Sequence, residues 1–74
     1  MTDFEMPDQR STTAQLEDVA SWASTQELGE AAAWVLDPKL PKPSPVAFMA
    51  VLTWTLQQKM YDASDCLKRQ WSRS

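Results

Sequence analysis

The sequence has no histidine, one cysteine and one glycine in 74 residues. Without histidine the usual general base near neutral pH is missing, and so is the commonest metal ligand. A single Cys66 forms no intramolecular disulfide and no Cys-rich zinc site. One glycine cannot make a Gly-rich loop that cradles a phosphate. Val and Ile are few and nothing alternates at period two, so no segment reads as a strand. A chain this short makes one domain at most and buries only about 60% of its surface on folding, which leaves little room for an enclosed active site. These shortages argue against an enzyme, a cofactor or a metal-stapled fold.

The acidic residues do not change that expectation. Glu17 and Asp18 are adjacent and point roughly 100° apart on a helix, so they do not converge. Asp62 and Asp65 share a helix face, but a hard cation takes at least about six oxygen ligands. Cys66 lacks a partner base and reads as a small buried residue on a helix flank.

What is present is apolar surface and an uneven charge. Hydrophobic residues make up 43% of the chain, which is globular composition, and four of them are tryptophans. Tryptophan supplies large buried area to a small fold that lacks disulfides. The net charge of −3 is divided unequally. Residues 1–37 carry eight acids and one base, Arg10, for a net of −7. Residues 38–74 carry six bases and two acids, for a net of +4. The first residues are acidic, with no basic segment leading into an apolar run, so no secretory signal is expected. The longest nearly apolar stretch, Val46 to Leu56, is about half the roughly 20 residues that a membrane span requires. A lone thiol fits a reducing compartment, so a cytoplasmic location is the expectation.

Residues 1–10 lack periodicity and contain Pro7, which reads as a flexible N-terminal arm before a single small helical domain over 11–74. Thr12 to Gln15 matches a capping box, and Leu16, Val19, Ala20 and Ala23 follow at helical spacing. Ser24 to Glu27 matches a second box, followed by Leu28, Ala31, Ala32 and Val35. The two stripes point roughly 120° apart. Two short helices, about 12–23 and 25–36 with a bend near Ser24, satisfy both; one bent helix is the alternative. Asp37-Pro38 stops the helix, and Pro38 to Pro43 reads as a stiff extended connector. Its Pro-x-x-Pro spacing fits a rigid connector better than a groove ligand. Ser44 caps the next helix and Pro45 suits its first position.

That helix is expected to run from about 45 to 70. Met49, Leu52, Leu56, Met60, Ala63, Leu67 and Trp71 fall in one stripe, in which eleven-residue spacings recur. Phe48, Val51 and Trp54 occupy other faces of its first half, which therefore reads as buried nearly all round. The fold class expected is all-α, a helical hairpin or three-helix arrangement.

Trp22, Trp34 and Trp54 lie off the centres of their stripes, and a small hairpin cannot bury four indoles. The candidate contact surface for a second chain is therefore Trp22, Trp34, Phe48, Val51 and Trp54, with Trp71 as core or interface. Nucleic-acid binding is a weak expectation, because Lys68, Arg69 and Arg73 form only a small basic group.

The turn Pro43-Ser44-Pro45, followed by a helix bearing Leu56-Gln57-Gln58, resembles the needle subunits of type III secretion systems. That resemblance implies a helical hairpin that assembles with copies of itself. The four tryptophans depart from the needle pattern.

The function expected is a small non-enzymatic protein–protein interaction module. It would be an adaptor, a chaperone-like partner, or an inhibitor or regulator of the phage or plasmid kind. The partner is another protein. The alternatives are a self-assembling homo-oligomeric subunit and an acidic regulator of a nucleic-acid-binding protein.

Overall fold

A computed structural model describes residues 10–73, so the expected arm over 1–10 lies outside the described residues except for Arg10. Four helices follow one another: α1 (Thr12–Thr25), α2 (Gly29–Leu36), α3 (Pro45–Gln57) and α4 (Tyr61–Arg73). No described residue is in a strand. The all-α expectation holds. The single long helix over 45–70 does not, because it is two helices joined by a reversal.

The reversal has a local cause. At the end of α3 the chain closes a Schellman motif. The Met60 N–H donates to the Thr55 carbonyl at 2.9 Å and the Lys59 N–H to the Leu56 carbonyl at 3.1 Å. Closing it puts Lys59 at φ 60°, the left-handed region that glycine usually occupies. Met60, the next residue, is buried in the core, which supplies the hydrophobic contact that accompanies this motif. The end of α1 shares the left-handed residue and the longer of the two closing bonds. Glu27 sits at φ 60°, and the Leu28 N–H donates to the Ala23 carbonyl at 2.9 Å. The bend between the first two helices therefore falls at residues 26–28 and not at Ser24, which is inside α1.

The helix starts are also specific. Ser11, one residue before the expected Thr12, accepts from the Ala14 N–H at 3.2 Å and caps α1. Ser44 accepts from the Ala47 N–H at 3.2 Å, with Pro45 opening α3 as expected. The connector is not extended throughout. Asp37 Oδ1 accepts from the Lys39 N–H at 3.1 Å and the Asp37 carbonyl accepts from the Leu40 N–H at 3.1 Å, making a turn. Residues 41–44 then run without regular structure into α3.

Met60 precedes α4 and has no side-chain oxygen to cap it. Gln15 of α1 supplies one from a distance. Its Oε1 accepts from the Ala63 N–H at 3.0 Å, and its Nε2 donates to the Arg10 carbonyl at 3.0 Å. Arg10 closes the corner by pairing with Asp18 and donating to Met60 Sδ at 3.7 Å.

The core gathers small residues between α1 and α2 and large ones between α2, α3 and α4. Ala20, Ala23, Ala31 and Ala32 are buried, which lets the first two helices approach closely. Trp34 is the centre of an aromatic cluster. Its ring meets Phe48 edge-on at 5.9 Å and Trp71 edge-on at 6.2 Å, while Phe48 and Trp71 stack at 4.4 Å. Gln70 Nε2 donates to the Trp34 carbonyl at 3.4 Å and ties α4 to α2.

The seven-residue stripe divides at the break. Leu52, Met60, Ala63 and Leu67 are buried, whereas Met49 and Leu56 are exposed. The eleven-residue spacing joined residues of two helices that do not share an axis.

Candidate interaction surface

The six aromatic and aliphatic contact candidates separate into three settings. Trp34, Phe48 and Val51 are buried inside the chain's own core and present nothing to a second chain in this fold. Trp22 of α1 and Trp54 of α3 stack on each other, centroids 4.8 Å apart and planes 9° from parallel. Both remain partly exposed. Trp71 covers Phe48 with one face and receives the Lys42 ammonium at 4.2 Å, a cation–π contact. The structure therefore brings Trp34, Phe48 and Trp71 together in one cluster and places Trp22 and Trp54 in another.

Chemistry is sparse elsewhere. Among the described residues no group of three His, Cys, Asp or Glu side chains converges to hold a metal ion. Cys66 is partly rather than fully buried, and its thiol donates to Gln70 Oε1 at 3.4 Å. A shallow groove of about 480 Å³ lies between α1 and α2, lined mainly by alanines and serines with Glu17 and Leu36 at its rim. It lacks the converging polar groups that orient a small ligand. Among the described residues no helix is long and apolar enough to cross a membrane.

Of the six exposed large hydrophobic residues among the described residues, three are on α3, the others being Leu36, Leu40 and Tyr61. Val46 is 81% exposed, Met49 54% and Leu56 42%. With Thr53, also exposed, they recur at spacings of three, four and three and form one face of the helix. The opposite face, formed by Ala47, Phe48, Val51, Leu52 and Thr55, is buried in the core. The helix is thus apolar all round, but its own chain covers only one side. No charged residue occurs from Pro43 to Gln58.

The apolar faces of the helix expected over 45–70 belong, with the nearby tryptophans, to the surface that the sequence offers for contact. The sequence alone does not single out Val46, Met49 and Leu56 from the buried side. The signal available in the sequence was the charge-free run around a helix with one full buried face already. Tyr61, 47% exposed at the start of α4, follows the end of this helix across the reversal.

No known protein family, curated protein or solved structure matches this chain.

Proposed function

We propose that this chain is a small protein–protein interaction module. It acts by covering a surface of its partner rather than by chemistry, and its contact surface is the outer face of α3, bordered by the exposed edge of Trp54. One observation carries the reading: Val46, Met49 and Leu56 are exposed on one face of a helix whose other face is already core. A helix that is apolar on every side belongs in an interior, and here half of that interior is missing. Isolated exposed leucines are ordinary, but an aligned, charge-free set marks a contact region. The absence of histidine from the sequence favours a binding role over acid–base catalysis near neutral pH.

The test is photocrosslinking in the cells that make the protein. A benzophenone side chain replaces Thr53, in the middle of the face, or Asp65, exposed on α4. Discrete adducts from position 53 and none from position 65 are the expected result. No adduct from position 53, or equal labelling from both sites, would refute the assignment of this face.

A further inference from the structure

We infer that the outer face of α3 pairs with the same face of a second copy of this chain, forming a short parallel two-stranded seam. The inference rests on the interaction reading above and adds the occupant.

Three observations select it. First, Val46, Met49, Thr53 and Leu56 follow the three–four alternation of a coiled-coil seam over about one and a half heptads. Second, residue type follows the layer. Val46 and Thr53, both β-branched, hold one kind of position; Met49 and Leu56, unbranched at Cβ, hold the other. That assignment is the one that favours two parallel strands over larger assemblies. Third, the positions flanking the seam are Pro45, Leu52, Ala50 and Gln57, and none is charged. Charged flanks normally choose between partners. Their absence lets two identical faces meet with no like charge across the seam, although each chain carries −3 overall. The nearest charged residues along the chain are Lys42 and Lys59, beyond the two ends of α3. A lipid surface is the less suitable occupant, because interfacial helices flank their apolar face with Lys and Arg and α3 has neither.

The contact is small. A helix of 13 residues is about 20 Å long, so the buried area falls below the roughly 800 Å² per partner of a standard interface. A weak dimer follows, of micromolar affinity or weaker, as the smallest specific interfaces are.

The test uses the full chain in sedimentation equilibrium across concentrations from below the micromolar range to well above it. The weight-average mass is expected to rise from one chain, 8.4 kDa, toward two and stop there. The rise should persist in high salt, because the seam is apolar. Met49→Glu places carboxylates in the seam at an already exposed position and should keep the chain at one mass, with its helical circular dichroism unchanged. Orientation is read in a Cys66→Ser background. Thr53→Cys should give an interchain disulfide on mild oxidation, because a parallel seam in register sets residue 53 against itself. Asp65→Cys, the control, should not.

A folded chain that stays at one mass throughout overturns the inference, as does Thr53→Cys oxidising no faster than Asp65→Cys. Binding of that single-mass chain to neutral phosphatidylcholine vesicles would also overturn it and assign the face to lipid. If the chain stays at one mass while position 53 still crosslinks to a different protein, the interaction reading stands and the second copy falls. If position 53 gives no adduct at all, both fall.

Discussion

Replacing Gln15 by leucine removes a buried side chain that joins the start of α1 to the start of α4. Gln15 is 0% exposed, and its amide bridges the Ala63 N–H and the Arg10 carbonyl, each at 3.0 Å. Leucine has nearly the same volume, so packing is largely kept while both hydrogen bonds are lost. The two orphaned groups differ. The Ala63 N–H is buried, and leaving such a donor unpaired costs about 1–3 kcal/mol. The Arg10 carbonyl is partly buried and can turn to water, so only the net bond, about 0.5–1.5 kcal/mol, is lost there. The expected destabilisation is therefore about 2–4 kcal/mol. Typical stability for a chain of this length is roughly 4–11 kcal/mol, so the change removes a large fraction of it. Urea unfolding followed by circular dichroism measures the loss. With a slope of about 1 kcal/mol per molar, the midpoint should fall by at least about 2 M, while Glu17→Ala, exposed two positions along the same helix, should leave it nearly unchanged. Hydrogen exchange at the Ala63 amide should accelerate more than at Leu67. A loss below about 0.5 kcal/mol for Gln15→Leu would refute the claim that this side chain caps α4.

Other expectations follow from the helix ends and the rings. Glu27→Gly relieves a left-handed non-glycine residue and should stabilise the fold by about 0.5–1 kcal/mol; a lower melting temperature would contradict the Schellman assignment. Ser44→Ala removes the α3 cap and should cost about 1 kcal/mol by the same urea assay, whereas Ser44→Gly should cost only a few tenths. Trp22→Ala deletes one half of the indole stack and should cost about 2 kcal/mol, less than a fully buried ring because Trp22 is only partly buried, with a change in the near-ultraviolet dichroism of Trp54. Normal near-ultraviolet dichroism in that variant would mean that the stack is not formed in solution.

Much of the fold was legible where local chemistry decides the outcome. The approximate span of α1, the Ser44-Pro45 start and the stop at Asp37 follow from capping hydroxyls, proline geometry and helical spacing. The expected Ser24 capping box, by contrast, does not open α2, which begins at Gly29 after Leu28 with no side-chain cap. The division of α3 from α4 was not legible. Residues 58–60 contain neither glycine nor proline, and helix-forming residues surround them. The stop depends on Met60 finding the core, which no local preference encodes. The exposed face of α3 was not singled out by the sequence for a related reason. Size drew attention to the tryptophans, yet Trp34 is at the centre of the core, and large apolar rings are what a small core needs most. The exposed face became visible only once burial had been assigned to one side of α3, leaving Val46, Met49 and Leu56 on the other.

The two left-handed residues make secondary structure here conditional on tertiary structure. At Glu27 and Lys59 the backbone holds a conformation that each residue disfavours by itself, so the corners persist only while Leu28 and Met60 are held against the bundle. Once that grip is lost, no local preference ends α3 at Gln57. The two corners are thus properties of the assembled protein and not of the segments that form them.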